Sequence, residues 1–202
     1  MKPAFRGKIN CKFFGNNQVT LALSNKHHKL NQVLMDLIIR NAAPRDLPVI
    51  LEIINQAILT TTAIYDYEIR TLEQQTAWFE QMINDGMPVI VAEHDKQVIG
   101  YGSYNIFRPK IGYRFSVEHS IYMNEKSRGL GVGGRLLGSL IQRAKESGLH
   151  TMIAGIDAAN RGSIDFHKKY GFIEKGYLRE VGYKFDQWLD LVFMQLVLEE
   201  EE

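Results

Sequence analysis

Cysteine is almost missing from the chain, with Cys11 the single thiol in 202 residues. One thiol excludes an internal disulfide framework and fits a reducing, cytoplasmic setting. Long apolar runs are missing as well. No stretch nears the ~18 uninterrupted apolar residues of a membrane span, so no membrane partner is expected. The N-terminus shows no signal-peptide pattern, because Lys, Asn and His break its apolar runs. An excess of one charge sign is also missing. Lys and Arg number 24 against 23 Asp and Glu, and the resulting +1 carries no signal for nucleic acid. The histidines lack metal-ligand spacing: His27 and His28 are adjacent, His94 and His150 are isolated, and no H-x-x-x-H or Cys cluster exists. No metal is expected. There is no internal repeat and no Pro- or Ser-rich linker.

What is present belongs to one globular domain with an appendage. Apolar residues make up 45% of the chain, and a chain of this length buries roughly 70% of its unfolded surface. Residues 1–34 are rich in Asn, Lys and His, with one short strand-like run at Val19 to Leu23, and read as an extension. Regular patterning starts at Met35, so residues 35–202 are read as the domain. "MDLIIRNA" alternates like a strand. Pro44 opens a helical pattern through "PRDLPVILEIINQAIL". "TLEQQTAWFEQMIND" is a second helix, with capping-box spacing at Thr71 and Gln74 and a stop at Gly86. "PVIVAEH" and "QVIGYGSYNIF" are strands joined by an Asp95-Lys96 hairpin turn. "FSVEHSIYM" follows as a strand. "GGRLLGSLIQRAKESG" is an amphipathic helix, "LHTMIAGI" a strand, "NRGSIDFHKKYG" a short helix, and "WLDLVFMQLVL" a final edge strand. This order points to an α/β or α+β fold around a mixed sheet.

The stretch "SRGLGVGGRLL" carries the chemistry. Gly129, Gly131 and Gly134 satisfy G-x-G-x-x-G between a strand and a helix, with Asp157 ending the next strand. That is close to a dinucleotide fingerprint. Two features oppose it. Asn124 to Arg128 separate the strand from the first glycine, where the fingerprint needs a tight turn, and the chain has one strand–helix–strand unit only. No Gly-Lys-Ser/Thr exists, so it is not a P-loop. A turn without a ligand is the plain alternative. The ligand that fits is a pyrophosphate on an acyl carrier. Main-chain N–H groups of Gly129, Leu130, Gly131, Val132, Gly133 and Gly134 at a helix start would face its oxygens, with Arg128 and Arg135 adding charge.

R-G-x-G-x-G-x-x-L-L after a strand resembles the acyl-CoA loop of the GNAT superfamily of N-acetyltransferases, over roughly Leu37 to Leu198. Asn160, Phe166, Gly171 and Phe172 resemble that superfamily's second cofactor segment. "EHSIY", "FHKKYGF" and "EVGYKFDQWLDLVFMQL" resemble its phosphinothricin and methionine sulfoximine N-acetyltransferase branch. The resemblance implies a GNAT fold, a central mixed, mostly antiparallel sheet flanked by helices. It implies acetyl-CoA as co-substrate, an amino-acid-like acceptor, a detoxification role and a homodimer. A dinucleotide-dependent oxidoreductase, a non-catalytic CoA-binding module and an acetylase of protein N-termini are the rival functions.

Acetyl transfer needs a base for the amine, a donor for the thioester carbonyl and a proton for the thiolate. Glu118, in the otherwise apolar "SVEHSIY", is the candidate base, since desolvation raises a carboxyl pKa; the resemblance points to the same residue. The plain alternative is a rim glutamate paired with Arg108 or Arg114. His119 and Ser120 complete the acceptor side of this strand, although neighbours in a strand face opposite ways, and Glu118 is preferred over His119 as the residue facing substrate. His167 is the candidate acid or relay, standing where the superfamily often has tyrosine; a surface histidine is its plain alternative, and Tyr170 reads as core. The oxyanion donor is expected among the main-chain N–H groups of Ile121, Tyr122 and Met123. Asn160 bonds the pantetheine arm, caps its helix, or does both. In "FRPKIGYRF", Arg108, Pro109, Lys110 and Arg114 form a basic loop suited to a substrate carboxylate, or simply a solvated loop. The resemblance places Ile64 and Tyr65 at a second substrate wall. Tyr183, Phe185, Trp188, Leu189, Leu191, Phe193 and Leu196 form an apolar surface for a dimer, or for residues 1–34 to cover.

Overall fold

Asp95 and Lys96 adopt φ of 50° and 62°, the consecutive left-handed pair that a two-residue hairpin turn requires. They join β2 (Val89–His94) to β3 (Gln97–Ile106). This hairpin seeds one half of the sheet: β1 (Ile38–Asn41) adds to β2, and β4 (Ser116–Met123) adds to β3. The computed structural model of the chain describes residues 36–198. The strand-like run at 19–23, Met35, Cys11 and the His27–His28 pair lie outside the described residues.

Among the described residues the sheet has seven strands in the order β1-β2-β3-β4-β5-β7-β6, where β5 is Thr151–Asp157, β6 is Ile173–Lys184 and β7 is Gln187–Val197. Every pairing is antiparallel except β4 with β5. The mixed, mostly antiparallel sheet flanked by helices is as the sequence implies. Two details differ. The final strand is not an edge, because β7 lies between β5 and β6. β6 itself escaped the sequence reading. Nearly all of its residues are exposed, its pairing shifts register between Leu178 and Gly182, and Gly176 and Gly182 interrupt it, so it has no alternation to read.

Helices cover both faces. On one face lie α1 (Leu47–Thr60) and α2 (Leu72–Asn84). Pro44 opens a single 3-10 turn before α1. The Thr71–Gln74 capping box is made in both directions: Gln74 N–H donates to Thr71 Oγ1 at 3.2 Å, and Thr71 N–H to Gln74 Oε1 at 2.9 Å. Ile50, Ile54 and Ile58 of α1 pack with Phe79, Val89, Val91 and Tyr101. On the other face lie α3 (Val132–Glu146) and α4 (Arg161–Lys168). Leu136, Leu137 and Leu140 of α3 are fully buried with Ile90, Tyr104, Val117 and Met152, each contributing about 1.5–3 kcal/mol. α3 lies close to β3 because Gly100 and Gly102 carry no side chain there; a Cβ on Gly102 would stand 3.1 Å from Leu140 Cδ1. Among the described residues, no helix is long and apolar enough to cross a membrane.

Lys184 of β6 anchors the end of α1 to the β6–β7 hairpin. Its buried ammonium donates to the carbonyls of Ile58, Thr61 and Ile64 at 2.7, 2.9 and 2.6 Å. These bonds cap the C-terminal end of α1 and fix the following loop against the β6–β7 hairpin. Tyr67 and Thr62 tie the same loop to Tyr183 and Asp157.

Candidate active site

The site begins where the sheet comes apart. β4 pairs with β5 only over Ser116–Glu118 against Thr151–Ile153, whereas its pairing with β3 runs on to Met123. β5 continues beside β7 as far as Asp157. From His119 to Met123, one main-chain edge of β4 therefore faces a cleft instead of a strand. Glu118 stands at the apex of that cleft.

The glycine loop closes the open end. After β4, a 3-10 turn at Glu125–Ser127, capped by the Asn124 side chain, leads to Gly129 and Gly131. Both have φ of 76°, and Gly131 is the N-cap of α3 without a side-chain cap. The N–H groups of Gly129 through Gly133 have no main-chain acceptor among the described residues. They form a cradle at a helix start that suits a pyrophosphate. Gly133 and Gly134 are small for a different reason. A Cβ on Gly133 would press on Met123, and one on Gly134 would collide with the Tyr170 hydroxyl. Gly134 N–H is already bonded to Gly131 O at 3.1 Å, which removes it from the expected cradle. Val132 is fully buried and Leu130 packs on the core, so both can offer only their main chain to a ligand. Arg128 and Arg135 are exposed beside the loop. Asn160 caps α4 by accepting from Ser163 N–H at 3.1 Å.

Alternation along β4 separates its side chains cleanly. Val117, Ile121 and Met123 pack beneath α3, and Tyr122 packs beneath α1 and α2. Glu118, Ser120 and Tyr122 line a cavity of about 140 Å³ on the α1–α2 side, with Ile54, Arg70, Trp78, Met82, Tyr101, Ser103 and Asn105 as the other walls. Burial raises the Glu118 carboxyl above its ordinary pKa of 4.5, and the nearby positive charge of Arg108 opposes the rise without cancelling it. Gly155 of β5 makes room for the carboxylate: a Cβ there would lie 2.8 Å from Glu118 Oε1.

His119 does not join Glu118. Its imidazole faces the opposite side of the sheet and is buried against His167 and Phe172, which corrects its expected place in the acceptor site. His167 is buried with it, so the surface alternative also fails. The Nε2 atoms of the two rings are 3.2 Å apart, and His167 Nδ1 is 2.7 Å from the Ser163 carbonyl. Burial lowers both pKa values, that of His119 to about 3, so both rings are neutral near pH 7. The tautomers follow. A carbonyl can only accept, so His167 carries its proton on Nδ1 and accepts at Nε2 from the Nε2–H of His119. His119 Nδ1 is left as a buried acceptor with no donor among the described residues. Neither ring nitrogen of His167 is free to act as the expected acid.

The other expected substrate residues divide. Arg108 is exposed but acts on Glu118, and stacks over Phe107 at 4.7 Å. Pro109 and Lys110 are exposed, and Arg114 lies over its neighbour Phe115 at 4.4 Å. Ile64 is buried in the α1–α2 core, and Tyr65 lies on Gly182 with a buried hydroxyl that has no partner among the described residues. Neither lines the cavity. Arg70, Trp78, Met82, Tyr101, Ser103 and Asn105 were not read from the sequence as site residues. They come from the loop before α2, from α2 and from β3, and no linear motif joins them. A larger depression of about 630 Å³, lined by Lys168 and residues 171–174, is shallow and lies away from Glu118.

The model of the acetyltransferase (GNAT) family matches residues 54–172. The chain is 45% identical over 82% of its length, and 96% of the relative, to an L-methionine sulfoximine/L-methionine sulfone acetyltransferase of Pseudomonas paraeruginosa. It is 47% identical to the solved ribosomal-protein-alanine N-acetyltransferase of Brucella melitensis, covering 79% of this chain and 99% of that one at a TM-score of 0.78. A phosphinothricin acetyltransferase of Sinorhizobium meliloti, solved in complex with acetyl-CoA, is 35% identical, covering 80% and 88% of the two chains at a TM-score of 0.78. The splayed β4–β5 pair, the glycine cradle and these matches together make the chain a member of the acetyltransferase (GNAT) family.

Proposed function

We propose that the chain transfers the acetyl group of acetyl-CoA to the α-amino group of an amino-acid-like small molecule, such as L-phosphinothricin, methionine sulfoximine or methionine sulfone. The observation that carries this is the Glu118 carboxyl at the apex of the cleft, half-buried and raised in pKa by that burial. Acetyl-CoA supplies the acyl group and a thiolate leaving group, and the cradle of Gly129 to Gly133 suits its pyrophosphate. The ionised Glu118 takes a proton from the substrate ammonium and frees the nitrogen to attack. The unpaired edge of β4 at Ile121–Met123 offers main-chain N–H groups to the developing oxyanion. Arg108 balances a carboxylate beside the amine. His167, with both nitrogens engaged, serves the packing behind β4, and the thiolate takes up the proton that the attacking nitrogen loses as the amide forms. The relatives named for methionine sulfoximine, methionine sulfone and phosphinothricin support the acceptor class.

The same reading includes assembly. Ile173, Tyr177, Val181, Phe185 and Trp188 of the β6–β7 hairpin are half or more exposed, a patch that a homodimer would cover. Light scattering at twice the chain mass is the expected result, and a monomer at micromolar concentration contradicts it.

A second reading, acetylation of a protein N-terminus, is favoured by the name of the Brucella relative. One thiol-release assay separates the two. It sets acetyl-CoA against phosphinothricin, methionine sulfoximine, methionine sulfone, the common amino acids and a short alanine-initiated peptide. Turnover of the analogues without the peptide is expected. Turnover of the peptide alone selects the second reading.

A further inference from the structure

Two arginines act on the acceptor cavity, and the transfer step uses only one. Arg108 is electrostatically near Glu118. An α-amino group held beside Glu118 carries its carboxylate on the same carbon, so the Arg108 end takes the backbone of an amino acid. The side chain must then run away from Glu118 along the aromatic wall. In that wall, Trp78 meets Tyr101 edge-on at 6.4 Å, and Tyr101 lies against Tyr122 at 5.4 Å. Arg70 lines this part of the cavity. Its charge favours the ionised form of both phenols, against the burial that raises their pKa values.

Arg70 is held there by design of the local structure. Asn55 of α1 grips its main chain in both directions: Asn55 Nδ2 donates to Arg70 O at 2.9 Å, and Arg70 N–H donates to Asn55 Oδ1 at 2.8 Å. The guanidinium meets one side-chain acceptor among the described residues, the half-exposed Asp66 at 3.1 Å. Its fork has five donors, so most of them are left for a ligand. On α2, Gln75 is fully buried with both amide atoms unpartnered among the described residues. It shares a helix face with Trp78 and Met82, which line the cavity. A buried amide is costly until it meets a partner.

We propose that Arg70 is the specificity-determining residue of the acceptor pocket, donating hydrogen bonds to an oxygen-bearing head at the end of the substrate side chain. Tyr101 and Tyr122 are its polar neighbours in the cavity. The assignment rests on the reading of the chain as an amino-acid acetyltransferase. The class that fits has a sulfone, sulfoximine or phosphinate end. A side chain ending in an ammonium, as in lysine, is repelled by the fixed guanidinium. The thioether of methionine leaves the fork unanswered, and sites built to hydrogen-bond a polar group discriminate strongly against analogues that lack it.

Methionine sulfone and methionine share a skeleton and differ only in the sulfur oxygens, so their ratio of kcat/KM reads Arg70 directly. In Arg70→Met, the ratio should fall roughly 10- to 100-fold, through the KM for the sulfone and not that for acetyl-CoA. Arg70→Lys keeps the charge without the fork and should fall between. If Arg70→Met does not fold, Arg70→Lys and Tyr122→Phe report on the same ratio. An unchanged ratio, or equal losses on both substrates, overturns the role of Arg70 while leaving the acetyltransferase reading intact. Absence of turnover for every amino acid in the wild type overturns that reading and this assignment with it.

Discussion

Glu118 and His119 are neighbours in β4, yet they sit on opposite faces of the sheet and meet opposite surroundings. Burial disfavours the charged form of each. On the α1–α2 side, Glu118 borders a cavity and keeps Arg108 near, so its carboxyl can still ionise and becomes a stronger base than a solvated one. On the α3–α4 side, His119 packs against Phe172 and the neutral His167, so it stays uncharged and works as a hydrogen-bond donor in the core. The same desolvation raises a carboxyl pKa on one face and fixes a tautomer on the other. The difference lies in whether the group faces an accessible cavity or packed side chains.

The largest expected effect is on the cavity face. Glu118→Gln keeps the shape and removes the base, and kcat should fall about 10²–10⁴-fold with the fold unchanged by circular dichroism. Wild-type turnover would remove the base role from this face altogether.

Gly155→Ala sharpens the same point without touching Glu118. The added Cβ occupies the space of Glu118 Oε1 and moves the carboxylate. Small displacements of a catalytic group cost up to about 10²-fold per ångström, so kcat should drop roughly 10-fold while the melting temperature stays within about 2 °C, the displaced atom being the free end of a flexible side chain. A loss of stability matching the loss of rate would show that Gly155 serves packing instead.

The other face should respond in the reverse sense. His119→Leu leaves His167 Nε2 without its donor and should cost about 1–3 kcal/mol in urea unfolding, with a smaller effect on kcat than Glu118→Gln. Its pH dependence is also defined. Both histidines have folded pKa values below the ordinary 6.5, that of His119 about 3. As pH falls through 6.5, the unfolded chain takes up protons that the native state refuses, so native stability declines with acidification. The decline should be shallower in His119→Leu. Equal slopes in variant and wild type would mean that His119 is not held neutral.

Much of this arrangement was legible in the sequence. The glycine stretch, the helix after it, the Thr71–Gln74 box and Glu118 in an apolar strand each follow a short linear pattern, and local patterns survive folding. The rest depends on partners brought from afar. His119 and His167 are 48 residues apart, and nothing near either one announces that they share a proton. Arg70, Trp78, Tyr101 and Tyr122 become one wall only when α2 packs on β3 and β4. β6 carries charges and glycines on both faces, so it has no period to recognise. Lys184 looks like a surface lysine until the end of α1 is placed over it. Ile64 and Tyr65 were expected at the substrate, but Lys184 and Gly182 hold them against the hairpin.

The direct test of Glu118 as the base is the pH dependence of kcat, at saturating acetyl-CoA and acceptor, in the wild type and in Glu118→Gln. The carboxyl must be ionised to accept a proton, and burial raises its pKa, so activity should fall as pH drops through a value above 4.5. In Glu118→Gln this acidic limb should vanish from the residual activity. The same limb, bending at the same pH in both proteins, would contradict the account.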